Sequence, residues 1–166
     1  MDTGLDFLRH SRVLLVKEYL PKIERCLDRL TDQDIWWRPN EQSNSVGNLV
    51  LHLYGNVTQW MIGGVGGHTY ERHRQQEFDE RRPLPKSELA ARIREVIRAA
   101  DRVLEDLTTD DLRSRRHIQG YDVTVLEAIY HVVEHFGMHT GQIIWIAKAR
   151  TGDDLKLWKP PAKVES

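Results

Sequence analysis

Thr124-Val125-Leu126-Glu127-Ala128-Ile129-Tyr130-His131-Val132-Val133-Glu134-His135-Phe136-Gly137-Met138-His139-Thr140-Gly141-Gln142-Ile143 reads as the opening turns of one long helix. Thr124 and Glu127 are spaced as a capping box, in which each side chain satisfies a free amide at the other position. Val125, Ile129, Val132, Phe136, Ile143 and Ala147 then recur at threes and fours, the rhythm of a buried stripe, as far as about Arg150. Thr151-Gly152-Asp153 stops the helix.

Three more stripes precede it. Val13, Val16, Leu20, Ile23, Leu27 and Leu30 mark a first helix over roughly Asp6 to Leu30, which Pro21 should kink or restart. Trp36 and Trp37 are expected to close one end of the molecule. Val46, Leu49, Val50, Leu53, Val57, Trp60 and Met61 mark a second helix, capped by Ser43 or Asn44 and running to about Ile62, with Gly63 to Gly67 ending it. Leu89, Ile93, Val96, Ala100, Val103 and Leu107 mark a third, with Ser87 as its expected cap. Between the second and third lies polar chain from His68 to Lys86, long enough to suggest a crossover or a flap over a site. Residues 108–123 make another long connection, with room for a small hairpin around Gly120. The tail should dock through Trp158, near Pro160 and Pro161. Four periodic helices without a convincing strand run read as an all-α four-helix bundle with long crossover connections, one domain over residues 1–166.

The bulk numbers exclude several classes. The 24 basic and 25 acidic side chains give a formal net charge of −1, so charge offers no reason to expect nucleic acid or an anionic membrane as partner. Cys26 is the single cysteine, so neither a disulfide nor a cysteine metal cluster can form within the chain, and a buried inert thiol is the expected state. Asp2, Asp6, Arg9, His10 and Arg12 interrupt what would be the apolar part of a signal peptide, and no apolar run approaches a membrane span. The default location is the cytoplasm.

The eight histidines matter through their placement. His131, His135 and His139 stand four apart, so adjacent pairs share a face one turn apart. His131 and His139 are about 12 Å apart along the axis, too far to share one ion. At 100° per residue, His139 lies about 40° from the centre of the apolar stripe, His135 about 80° and His131 about 120°. The inward pair is therefore His135 and His139, while His131 drifts outward, toward a hydrogen-bonding or solvated role. His52, on the second helix, is the best third ligand, although it too lies about 120° from the centre of its stripe. Three neutral imidazoles with an open position suit zinc, nickel or iron(II). No glutamate follows His135 to make this a zincin motif. Asn56, one turn after His52, and Gln142, just beyond His139, are candidates to orient ligands or substrate, and Arg72 and Arg74 to clamp a carboxylate if the long connection folds over the site. His10, His68, His73 and His117 are expected at the surface.

Asn44-Ser45-Val46-Gly47-Asn48-Leu49-Val50-Leu51-His52-Leu53, with Gly55-Asn56 and Trp60, resembles the second-helix signature of DinB/YfiT-like proteins, and the segment from His131 to Ile143 resembles their final-helix signature. Trp37-Arg38-Pro39 and the Arg-rich segment through Glu77-Phe78 are similar to an uncharacterised branch of that superfamily. The resemblance implies a four-helix bundle, often a homodimer, with a three-histidine site mapping onto His52, His135 and His139. Met138 and Thr140 depart from the pattern, standing where many relatives have a second histidine and an arginine. Some members are thiol-dependent transferases or isomerases. The resemblance therefore favours a metal-dependent enzyme, such as a low-molecular-weight-thiol S-transferase, acting on a small molecule. A metal-dependent hydrolase and a non-catalytic metal-binding or stress-response protein stay open as alternatives.

Overall fold

The computed structural model describes residues 2–158, so Pro160 and Pro161 lie outside the described residues. Four helical rods carry the molecule. The first comprises α1 (Thr3–Val13), a π-helical stretch over Leu14–Tyr19, and α2 (Leu20–Arg29). A one-turn helix, α3 (Asp32–Ile35), follows. The second rod is α4 (Val46–Val57), continued by a π-helical stretch over Thr58–Val65. After the short helix α5 (Arg74–Asp79), the third rod is α6 (Lys86–Glu105) and the fourth is α7 (Val125–Thr151).

The first rod departs instructively from its expected stripe. Leu20, Ile23, Leu27 and Leu30 are buried as expected, but Val13 is exposed, and Leu8, Ser11 and Leu15 are buried in its place. The π stretch explains the slip. In it the amide of Leu20 bonds to the carbonyl of Leu15, five residues back, which absorbs one extra residue and rotates everything upstream by one position. Pro21, which offers no amide and would clash in a continuous α-helix, sits in the first turn of α2 just beyond this widening, so the rod runs on.

Helix starts are corrected at two places. Ser45, rather than Ser43 or Asn44, caps α4, in a reciprocal box with Asn48. The residue at the cap of α6 is Pro85, not Ser87: its carbonyl accepts from the amides of Glu88 and Leu89, and the free amide of Lys86 donates to the Asp32 carboxylate on α3. The second rod also runs past Ile62 into its glycines, as far as Val65. Thr124 and Glu127 form the expected box on α7.

Rod one packs on rods three and four, and rod two on the same pair, so rods one and two lie diagonally across the bundle, as do three and four. Diagonal neighbours in sequence require long links, which accounts for residues 30–45 and 106–124. The second of these holds the expected hairpin, β1 (Arg115–Ile118) with β2 (Tyr121–Thr124). Rods two and three touch, and a short loop would join them. Residues 66–85 far exceed that need, and the surplus folds over α4.

Ile23, Leu27, Leu53, Met61, Leu89, Ile93, Ile97 and Phe136 fill the centre with little or no exposure. Trp36 and Trp37 cover one end, where the Trp36 indole donates to the carbonyl of Leu84 and the Arg150 guanidinium lies 4.9 Å over the Trp37 ring. The tail docks through buried Leu155, while Trp158 is 75% exposed, contrary to expectation. Among the described residues, no helix is long and apolar enough to cross a membrane.

Candidate metal centre

His52 on α4 and His135 and His139 on α7 bring one ring nitrogen each within 4.8 Å of one another. His131 pairs with Asn56, one turn along α4, while His135 pairs with His52, so the two helices run antiparallel with matched rungs. His52 and His139 are buried and His135 is half-buried.

The outer nitrogens fix the tautomers. His52 Nδ1 lies 2.8 Å from a carboxylate oxygen of Glu77, and His139 Nδ1 lies 2.7 Å from the carboxamide oxygen of Gln142. These oxygens only accept, so both rings carry their proton on Nδ1 and keep the Nε2 lone pair free. His52 Nε2 then accepts from His135 Nε2–H across 2.9 Å. An ion on these two nitrogens would take that proton's place. Bonds near 2.05 Å at a tetrahedral angle set ligand nitrogens about 3.3 Å apart, so the rings need part by only about 0.4 Å.

Protonation favours the same chemistry. Burial first, then the neighbouring histidines and Arg72, push His135 down to about 3. Burial likewise lowers His131 and His139. These imidazoles are neutral at pH 7, which is the form that binds metal.

The long connection supplies the rest of the site. Glu77, in the last turn of α5, receives two Arg72 donors at 2.7 and 2.8 Å besides His52. Burial alone would raise its carboxyl, but the bonds from Arg72 and His52 outweigh burial and hold it below the ordinary range. Arg72 does clamp a carboxylate, as its position suggested, but that carboxylate is Glu77 of the same chain. Arg74 stacks 5.0 Å over Phe78, whose ring packs 4.6 Å from His52. Asn48 fastens this turn by donating to the carbonyls of Glu77, Phe78 and Glu80 at 2.9, 3.3 and 3.2 Å, and Arg38 reaches the last two as well. Gly55 lies beneath the pair. A Cβ there would overlap Glu77 Oε1 and press on Arg72 Nε at 2.9 Å.

His131 is half-buried rather than solvated. It packs 4.2 Å from the Trp60 ring and lies 3.3 Å from Asn56 Nδ2. The Trp60 indole donates to Gln119 at the tip of the hairpin, where Gln119 (φ 54°) and Gly120 (φ 85°) both adopt the left-handed turn that a two-residue hairpin needs. On the other side, a cleft of about 310 Å³ lined by Pro39, Asn44, Leu49, Gln142, Trp145 and Ile146 borders the carboxamide that holds His139. His10, His68, His73 and His117 are exposed, and Cys26 is buried on α2.

Glu77 is the site residue that sequence reasoning missed. The available signal was indirect: a polar link too long for its span, whose four acidic residues, Glu71, Glu77, Asp79 and Glu80, give no sign of which one reaches a histidine.

Fold and site together define a four-helix bundle with a histidine trio that could hold a metal ion. More particularly, residues 2–162 match the family described as "Protein of unknown function (DUF1572)", and the chain belongs to that family. No curated protein matches the chain. Among solved structures, it resembles a conserved protein from Enterococcus faecalis at 14% identity and TM-score 0.74, over 87% of this chain and 97% of that one. It also resembles a DinB-like protein from Bacillus cereus ATCC 10987 at 18% identity and TM-score 0.63, over 84% and 89% of the two chains. At these identities the likeness shows the fold.

Proposed function

We propose that His52, His135 and His139 hold one divalent transition-metal ion, zinc, nickel or iron, and that the protein is a metal-dependent enzyme acting on a small molecule. A low-molecular-weight-thiol S-transferase is the leading reading. The observation that carries the metal reading is the paired anchoring of the outer nitrogens, Glu77 on His52 and Gln142 on His139, which leaves inner lone pairs to converge with His135. Such outer bonds orient metal-binding imidazoles and raise their basicity.

When bound, the ion would supply Lewis acidity, lowering the pKa of a thiol at its open position. Both Glu77 oxygens are engaged by Arg72 and His52, so this carboxylate orients a ligand rather than accepting a substrate proton. Both a thiol and a water must lose a proton, but a free thiol titrates at about 8.5 and water at about 15.7. The ion alone would therefore leave a bound thiol as thiolate with its proton released to solvent, and this favours thiol chemistry where the site offers no free carboxylate base. The cleft beside Gln142 is of a size to seat a small molecule.

Cobalt substitution tests the reading. Cobalt should load at about one ion per chain and lose most of its binding in Ala variants of His52, His135 or His139, with a smaller loss for His131→Ala. Adding small thiols should produce a sulfur-to-cobalt charge-transfer band that disappears in His135→Ala. The band should survive Cys26→Ser, because burial pushes that thiol up to about 12 and it lies on α2. A spectrum blind to thiols but altered by carboxylates would put metal-assisted hydrolysis ahead. Silence to both would favour metal binding without turnover.

A further inference from the structure

One turn from the trio lies a second polar rung that metal binding leaves unused. Asn56 is 4% exposed, and its Nδ2 donates to His131 Nε2 at 3.3 Å. Its carboxamide oxygen is buried and has no hydrogen-bond partner, the one such buried side-chain atom among the described residues. An orphaned acceptor in a buried place is costly and calls for a donor that the chain itself does not provide. Reversing the amide would not remove the problem. Oδ1 would then accept from His131 and leave the NH₂ group facing the same space with unpaired donors.

The rung's place narrows what the donor can be. Asn56 follows His52 by one turn and His131 precedes His135 by one turn, so this layer lies on the side of the trio away from His139. The step between layers is about 5.4 Å. Trp60 packs against His131, closing the far side of the layer with an apolar wall. A ligand atom about 2 Å from an ion and a hydrogen bond about 2.9 Å long, joined through one or two covalent bonds at bent angles, span about that step.

We infer that Asn56, steadied by His131, is a specificity-determining residue that accepts a hydrogen bond from the ligand at the histidine trio. The ligands selected carry an N–H or O–H within one or two bonds of the atom that meets the ion, as hydroxamates, amides and ureido groups do. This rests on the metal reading above but not on the thiol chemistry.

The test compares two ligands on the cobalt-loaded protein: acetohydroxamate, and N-methylacetohydroxamate, which has the same two oxygens without the N–H. Titration of the cobalt absorption bands gives both dissociation constants in wild type, Asn56→Leu and Asn56→Ala. Wild type should prefer acetohydroxamate by about 3- to 10-fold more than either variant does, the worth of one net hydrogen bond. The N-methyl compound should bind wild type no better than the variants, because its methyl group would meet the Asn56 oxygen. Asn56→Leu and Asn56→Ala also remove the donor to His131, so thermal melts must show both variants folded at the titration temperature. An unchanged preference in both variants overturns the assignment while leaving the metal reading intact. A chain that takes up no cobalt at the trio overturns both.

Discussion

Glu77→Gln removes a negative charge from beneath His52 while nearly preserving shape. In the native site the carboxylate accepts the His52 Nδ1 proton at 2.8 Å and neutralises Arg72, whose side chain is only 5% exposed. Glutamine can still accept from His52, but the Arg72 cation loses its counter-charge, with one guanidinium nitrogen 3.4 Å from His52 Nδ1. Both changes weaken His52 toward a divalent ion. Outer hydrogen-bond partners of metal-binding histidines are worth 10- to 100-fold in affinity, or about 1.4–2.7 kcal/mol. The uncompensated cation places Glu77→Gln toward the upper end of that range. Breaking a buried ion pair also costs about 3–5 kcal/mol of stability, so thermal melts of the apo variant must show it folded at the assay temperature. Competition against a chromophoric zinc chelator at pH 7.5 measures the affinity, and Arg72→Met combined with Glu77→Gln should recover part of the loss. An affinity within twofold of wild type in folded Glu77→Gln would refute the claim that the long connection tunes the site.

Three further outcomes are expected. Chelation should leave helical circular dichroism intact at room temperature, because the core around Ile23, Leu53, Ile93 and Phe136 closes without an ion; loss of helix on adding chelator would contradict this. Acidification should destabilise the apo protein between pH 6.5 and about 3, where the unfolded chain protonates His135 and the folded chain resists it, with no contribution from this group above 6.5. Equal urea midpoints at pH 7.5 and 4.5, or the same slope in His135→Gln, would count against it. Finally, light scattering should give twice 19.4 kDa. Tyr130, Met138 and Trp145 are 62, 48 and 64% exposed along α7, and Gly141 among them has nothing within 4 Å of where a Cβ would stand, so close approach by a second copy is a reason for glycine there. A monomer at micromolar concentration, or a dimer untouched by Trp145→Glu, removes that pairing.

Most of the bundle was legible because burial of a helix face is a periodic demand, and the stripes of the second and fourth rods are buried residue for residue. The choice of His135 over His131 followed from the same angles. The misplaced Val13 shows where periodicity ends: Pro21 signals that the helix is disturbed, but not that a π widening upstream absorbs one residue and shifts the stripe. Ser43, Asn44 and Ser45 are all good caps, and tertiary fit selects among them. Glu77 was invisible for a different reason. It sits on aperiodic chain, and its meaning depends on a contact with His52 25 residues away.

Gly55 turns that contact into something a genome can be searched for. The space between the second rod and the Arg72–Glu77 pair admits a hydrogen atom and nothing larger. Three histidines at the right spacing could persist in a lineage long after the long connection had drifted off them. A side chain at position 55 would be the first trace of that divorce. Sorting homologous chains by glycine at this one position, together with Arg72 and Glu77, should therefore separate those that keep the clasp over His52 from those that keep only its histidines.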